Sequence, residues 1–350
     1  MKRKSLSATK KTLNFYLTKL KDPHIQRLYK DFSNNLINLD NKNKKIMVGV
    51  SGGSDSLSLL FFAKCYSLKN KAKLYPVIID HKMRKESTNE AKKLKNILKK
   101  NFDIDCKILS KKRTKIVKNI QSHARNLRYD LFFKECNKQK IGHVLLGHHR
   151  DDLIENFFIR FLRGSGLKGL VSFFKNPSQY NGIKIIRPFL HISKKELSIV
   201  NKKTFSFFVE DPSNSNDKFL RTRVRKMLKH LNDEGLNFEK FFLTVKNLSK
   251  SDHVIQFFVE KNISENSKIF NRPKKVILNK SFFNNPDEIV LRSFTEVIQS
   301  ISNKKNYIRG KKAIGLLDSL KFSSENVKLT LSGCIIEKIS DSVMIYKEKR

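Results

Sequence analysis

Acidic side chains are scarce in this chain. Its 350 residues hold 32 Asp and Glu against 73 Lys and Arg, a formal net charge of +41. So basic a balance points to a polyanionic partner, most simply nucleic acid, because phosphate neutralisation dominates such affinity. Codon bias from an AT-rich genome would also enrich Lys, Asn and Phe, but it does not account for the shortage of acids. Cysteine pairs are missing too. Cys65, Cys106, Cys136 and Cys334 are scattered with no Cys-x-x-Cys, which excludes a zinc ribbon and a dithiol redox site. No apolar run approaches membrane-spanning length and no signal peptide is written, so the expectation is a reducing cytoplasm and no membrane partner. The basic start, Met1 to Lys11, reads as a frayed arm rather than a transit peptide. The hydrophobic share of 39% is low, yet 27 Phe supply large core residues, and the length allows two domains or more.

The stretch that organises the rest runs from Ile46 to Phe62. An apolar run ending at Val50 reads as a buried strand and the run from Leu57 as a helix start. Ser51-Gly52-Gly53-Ser54-Asp55-Ser56 lies between them. Glycines let successive N–H groups close around an anion, and the helix adds its N-terminal dipole. This is a phosphate loop without the lysine that a Walker loop requires after its last glycine. The plainer reading is a Gly-Ser turn between a strand and a helix.

Further strands are expected at Leu74–Asp80, Asp103–Leu109, His143–Gly147 and Ile183–Arg187, alternating with helices from Ser87 (capping-box spacing with Glu90), Ile120, Asp151 and Ser193. Such alternation predicts parallel βαβ units with ligands at the carboxyl ends of the strands. The helix from Ile120 to about Cys136 is expected to place Ile120, Ala124, Leu127 and Leu131 on one face. Asp211 to Asp217 is a strong loop signal and marks a boundary, beyond which the pattern is mostly helical. A short alternating tail from Val327 reads as a small antiparallel β unit. The expected divisions are 1–217, 218–322 and 323–350.

Three clusters carry candidate chemistry. His148-His149-Arg150-Asp151-Asp152-Leu153-Ile154-Glu155-Asn156 opens a helix whose buried face is expected to be Leu153, Ile154, Phe157, Phe158, Phe161 and Leu162. Asp152, Glu155 and Asn156 then share the other side. Asp152 suits Mg²⁺ or a basic group beside a nucleotide, whereas Asp151 alone reads as a helix cap and the histidines as core or loop residues. Arg125 and Arg128 lie one turn apart beside Tyr129, where they could grip phosphates or form only a solvated edge. In Arg221-Thr222-Arg223-Val224-Arg225, Arg221 and Arg225 are expected on an exposed face with Lys218, and Arg223 to reach back toward a site. Arginine where lysine is commoner suits bidentate phosphate contacts.

The Ser51–Ser56 loop resembles that of the N-type ATP pyrophosphatases, the PP-loop proteins. Six further motifs follow in order: Asp80-His81-Lys82-Met83-Arg84, Ala124-Arg125-Asn126-Leu127-Arg128-Tyr129, the His148–Asp152 cluster, Leu162-Arg163-Gly164-Ser165-Gly166, Arg187-Pro188-Phe189-Leu190, and Asp211-Pro212-Ser213-Asn214 with Arg221–Arg225. Together they resemble the tRNA(Ile)-lysidine synthase family, strongly over residues 44 to 230. Lys82 departs from the family's usual Gly and Leu153 from its frequent Gln. The resemblance implies an α/β fold: a Rossmann-like, adenine nucleotide α-hydrolase-like parallel-sheet domain, then a mostly helical domain and the small β unit.

The resemblance also implies that ATP adenylates O2 of the wobble cytidine in a CAU-anticodon tRNA(Ile), and that the ε-amine of free L-lysine then displaces AMP. On that reading Ser51, Gly52, Gly53, Ser54, Asp55, Ser56 and His81 bind ATP, and Asp55 and Asp152 hold Mg²⁺. Asp55, Asp152 and Arg223 are catalytic, and Arg84, Arg125, Arg128, Arg221, Arg223 and Arg225 contact RNA. A homodimer is a further expectation. The alternatives are a PP-loop tRNA thiolase, against which the scattered cysteines speak, and a non-catalytic ATP-responsive RNA-binding protein.

Overall fold

The computed structural model describes residues 6–36, 45–82, 86–111, 120–174, 178–180, 182–209, 220–271, 274–302, 308, 310–322 and 327–348. By packing, the chain divides into two compact units, Met1–Leu236 and Asn237–Arg350. The expected loop at 211–217 and Arg84 lie outside the described residues.

The first unit opens with α1 (Leu6–Lys19) and α2 (Pro23–Asn34). Pro23 interrupts the helical pattern as expected because it sits at the first turn of α2, where its missing N–H costs nothing. Asp22 caps that turn through His24 N and Ile25 N, and also accepts from Lys203 Nζ at 2.6 Å. Then come β1 (Lys45–Val50), α3 (Ser54–Asn70), β2 (Lys73–Asp80), α4 (Ser87–Phe102), β3 (Lys107–Ser110), α5 (Ile120–Gln139), β4 (His143–Leu145) and α6 (Arg150–Phe161). The unit continues with α7 (Leu167–Val171), β5 (Ser178–Tyr180), β6 (Ile183–Ile186), α8 (Lys194–Lys203) and α9 (Leu220–Asp233).

The sheet order is β3-β2-β1-β4-β6-β5, parallel except for β5. Chain order reverses between β1 and β4, so the crevice beyond their carboxyl ends is the switch point where such sheets bind ligands. Helices cover both faces. One core gathers Phe61, Phe62, Leu94, Phe189 and Val200; the other gathers Met47, Phe132, Phe133, Cys136 and Val144.

Several expectations are corrected here. The third strand begins only at Lys107, because Asp103 ends α4 in the left-handed region and Ile104 N bonds back to Leu98 O. On α5 the fully buried residues are Phe132, Phe133, Glu135 and Cys136, the rings filling the space over β1 and β4, while Ala124, Leu127 and Leu131 are half-buried. Ser87 is not a cap. Glu86 stands at that position, and the Ser87 hydroxyl, with that of Thr88, donates to Asp80 at the end of β2. The cap expected at Ser193 forms, with Glu196 reciprocating.

In the second unit α10 (Phe238–Asn266) precedes β7 (Ser267–Asn271), β8 (Lys274–Leu278), α11 (Asp287–Ser302), α12 (Gly310–Phe322), β9 (Lys328–Leu331), β10 (Cys334–Ile339) and β11 (Ser342–Lys347). The alternating tail takes in β7 and β8 to form one antiparallel sheet, β7-β8-β11-β10-β9, over which α11 packs Phe294, Val297 and Ile298. Pairing with β8 satisfies the outer edge of β11, which a three-stranded tail would leave open. Buried Arg292 ties α11 to α10 through Asp252 at 2.6 Å.

Candidate active site at the switch point

The loop between β1 and α3 is shaped from inside. Gly52 has φ +90°, a region closed to most side chains, and a Cβ there would meet Leu94 at 3.1 Å and Val209 at 3.2 Å. Ser56 is buried, and its Oγ accepts from Ser51 N and Gly52 N, both at 3.1 Å, and donates to Gly53 O at 2.9 Å. These two N–H groups therefore hold the loop's own hydroxyl. Gly53 is the N-cap of α3 and makes no side-chain capping bond, so the first turn of a 17-residue helix faces the crevice uncapped by any side chain. Gly147, after β4, lies against that turn: a Cβ would come within 3.1 Å of the Asp55 carbonyl oxygen.

The start of α6 adds the acidic half of the site. His149 is its N-cap, with Nε2 3.5 Å from Asp55 Oδ2 and 3.6 Å from Asp152 Oδ2, and Nδ1 3.5 Å from Asp151 Oδ2. Burial, the largest effect, works against an imidazolium here. Asp151, Asp55 and Asp152 together outweigh it and hold the pKa up at about 10. Asp151 is raised by burial but lowered more by His149 and by the N–H of Lys194, and ends at about 2. The capping role expected of Asp151 falls to Asp152, whose Oδ2 accepts from His149 N at 3.2 Å.

The faces of α6 are the reverse of the expectation in part. Asp152 and Glu155 are buried, whereas Phe161 and Leu162 are 60% and 54% exposed. The cause is α9. Arg221 Nε donates to Glu155 Oε2 at 2.6 Å and its Nη2 to Asp152 Oδ1 at 2.7 Å, while Arg225 Nε donates to Glu155 Oε1 at 2.5 Å. Paired carboxylates can be buried where bare ones cannot. Arg221 and Arg225 thus face α6 rather than solvent, and Arg223, between them, is exposed.

A basic half adjoins it. Burial, and then the charges of Arg187, Arg125, Arg221 and Arg128, push the pKa of His148 well below its ordinary value, so it is neutral beside a charged His149. His148 packs edge-on against Phe173 at 5.4 Å, and buried Arg187 lies 5.0 Å over the same ring. Arg125 stacks over Tyr129 at 5.1 Å.

Of the residues expected from sequence, Asp55 and Asp152 meet at His149, Arg221 bonds Asp152 and Glu155, Arg225 bonds Glu155, and the charges of Arg125 and Arg128 act on His148. His81 stands half-buried past β2, and Arg223 joins neither group. The roles of His148, His149, Glu155 and Arg187 were not assigned individually; the His-His-x-Asp-Asp and Arg-Pro-Phe-Leu motifs were their signal.

Mg²⁺ is held by oxygen ligands. Carboxylate oxygens of Asp55 and Asp152 converge on one point, now filled by His149 Nε2. Among the described residues, no group of three or more His, Cys, Asp or Glu could hold a metal by itself. Two carboxylates completed by substrate phosphates and water suit Mg²⁺, which retains water and seldom takes an all-protein cage. All four cysteines are buried, and burial raises the thiols of Cys65, Cys106 and Cys136 to about 12, so they are unreactive.

A parallel sheet with an open helix N-terminus behind a Ser-Gly-Gly-Ser-Asp-Ser loop defines a PP-loop domain, and the family model described as PP-loop domain matches residues 21–231. A U34-tRNA thiolase of Methanococcus maripaludis with its 4Fe–4S cluster shares the fold (TM-score 0.55, 19% identity, 66% of this chain and 80% of that one). The chain is 34% identical over 320 residues to a tRNA(Ile)-lysidine synthase of Orientia tsutsugamushi, covering 88% of this chain and 70% of the relative. It is 31% identical to one from Wolbachia pipientis wMel (87% and 71%) and 33% to one from Rickettsia typhi (92% and 74%). The chain belongs to the tRNA(Ile)-lysidine synthase family and is an ATP-using enzyme of that type. No helix among the described residues is long and apolar enough to cross a membrane.

Proposed function

We propose that the protein ligates free L-lysine to C2 of the wobble cytidine in the CAU anticodon of tRNA(Ile), changing codon specificity from AUG to AUA. The observation that carries this is the two-sided site: four carboxylates and an open helix N-terminus beside four arginines, all at one switch point. In the first step cytidine O2 attacks the α-phosphorus of ATP, and the bond to the β-phosphate breaks with loss of pyrophosphate. The N–H groups of the α3 first turn, with Ser51 and Ser54, hold that pyrophosphate, while Gly52 and Ser56 keep the loop in shape. Asp55 and Asp152 would hold Mg²⁺, which supplies positive charge against the phosphates. In the second step the lysine ε-amine attacks C2, the C2–O bond breaks and AMP leaves. Buried Asp152 and Glu155 are the acidic groups available to orient the ammonium or take its proton.

Arg125 and Arg128, with Arg84 and the exposed Arg223, are the proposed RNA contacts, and His81 borders the ATP. The anticodon loop is single-stranded, so its base can enter a pocket without a duplex being opened. Catalysis is proposed for residues to 217 together with Arg221 and Arg225, and tRNA grip for the rest of the chain beyond 217. The buried, high-pKa cysteines weigh against a thiolase.

The test is incubation with ATP, labelled lysine and a panel of tRNA transcripts. Incorporation is expected only into tRNA(Ile) with CAU, and none into any transcript refutes the reading. Asp55→Ala is expected to bind tRNA nearly as well as the parent and to incorporate no lysine.

A further inference from the structure

Sequence pattern counts Arg221, Arg223 and Arg225 all as RNA contacts and sends Arg223, not its neighbours, back toward the site. Their geometry separates them. Arg221 and Arg225 are four residues apart, hence on one face of α9, and both reach Glu155, one guanidinium to each carboxylate oxygen. Glu155 is only 4% exposed, so without partners its charge would be costly to keep. Arg221 is shared with Asp152. Arg225 reaches Glu155 from the second turn of α9 to the second turn of α6, at 2.5 Å.

We propose that Arg225 is a positioning residue for Glu155: it fixes the orientation of the carboxylate that meets the lysine ammonium, and it makes no contact with RNA. The inference rests on the reading above that an amino acid is the second substrate. A carboxylate offers about four lone-pair sites on two oxygens. With one guanidinium Nε–H on each oxygen, Glu155 keeps a lone pair on each for an incoming ammonium, and its plane is held by two charge-assisted bonds rather than one. Loss of Arg225 would leave Oε1 free to turn away and Glu155 half-compensated, while removing no charge that faces solvent on the Arg223 side.

The experiment compares Arg225→Gln, Arg225→Lys and Arg223→Gln with the parent full-length chain. Lysine incorporation gives kcat and the KM for lysine, and filter binding of the CAU tRNA(Ile) transcript gives Kd across a salt series. Arg225→Gln is expected to raise the KM for lysine about tenfold or more, leaving the tRNA Kd within about twofold and its salt slope unchanged. Arg225→Lys should recover part of the KM, since it restores charge without the planar fork. Arg223→Gln is expected to do the opposite, lowering the salt slope by about one with the KM for lysine unmoved. A folding defect alone would lower apparent kcat and leave KM in place. The proposal is overturned if Arg225→Gln lowers the tRNA salt slope by about one, or if it leaves the KM for lysine at the parent value. A parent protein that charges no tRNA with lysine would refute the underlying reading instead, and the salt series would still report whether Arg225 touches RNA.

Discussion

Gly147 supports a prediction that separates motif from packing. A Cβ at this position would stand 3.1 Å from the Asp55 carbonyl oxygen, 3.2 Å from its carbon and 3.3 Å from Ser56 N. All three are backbone atoms in the first turn of α3, so no side chain can swing aside. Gly147→Ala must move β4's exit and α3 apart by about 0.3 Å to restore ordinary contact, an overpacking that costs about 1–3 kcal/mol. In a unit of this size that corresponds to a fall in Tm of about 3–10 °C. The displaced turn carries Asp55, opposite Asp152. Misplacing reacting groups by 1 Å costs about a hundredfold, so this shift should lower kcat by about fourfold to tenfold. The control is Gly53→Ala. Gly53 has φ −69°, and a Cβ there would meet only Ser51 Oγ, at 3.8 Å. Because Gly53 is the α3 N-cap, where Ala is poorer than Gly, its Tm should fall by about 2–4 °C at most, so any activity lost beyond what that fall explains comes from the substrate's side of the loop. Thermal melts by circular dichroism and single-turnover lysine incorporation read both variants. Gly147→Ala with parental Tm and kcat would refute the argument that backbone contact at this point sets the geometry of the site.

Three further outcomes are expected. His149 has its folded pKa raised from the ordinary 6.5 to about 10, so its stabilising contribution is complete below about pH 6.5 and is lost as pH rises through about 10. Chemical unfolding of the parent should show that decline and His149→Gln should lack it. Lys82 sits at φ +51°, so Lys82→Gly should gain about 0.5 kcal/mol: relief of left-handed strain of about 1–2 kcal/mol, less the entropy glycine adds to the unfolded chain. Denaturant midpoints would measure it. Ser56→Ala strips the partners of Ser51 N and Gly52 N and should cost about 2–3 kcal/mol, with ATP affinity by calorimetry falling in parallel.

Legibility from sequence followed distance along the chain. The alternation of strands and helices, the phosphate loop and the Ser193 cap depend on neighbours, and each was readable from its own stretch. The face of α6 was not, because what buries Asp152 and Glu155 is a pair of arginines 66 to 70 residues further on. A polarity rule assigns carboxylates to water unless their partners are known. The same holds for His148 and His149: both are buried, but arginines add to the effect of burial at His148 whereas carboxylates overcome it at His149, so one is neutral and its neighbour charged. Lys82 shows the converse. Its departure from the family's usual glycine is legible, but only the backbone angle explains why glycine suits the position.

The order of strands in the second sheet has a bearing on synthesis. β11, its last strand in sequence, occupies the middle, hydrogen-bonded to β8 on one side and β10 on the other. As the chain leaves the ribosome, the parallel sheet of the first unit has all its strands once Ile186 has emerged. β7 and β8 must wait for residues 342–347 before their inner edge is paired. During that interval β8 carries Val276 and Leu278 beside an open edge, a template for pairing with the wrong chain. Slow or stalled translation before residues 342–347 should therefore expose this unit to aggregation while leaving the first unit intact.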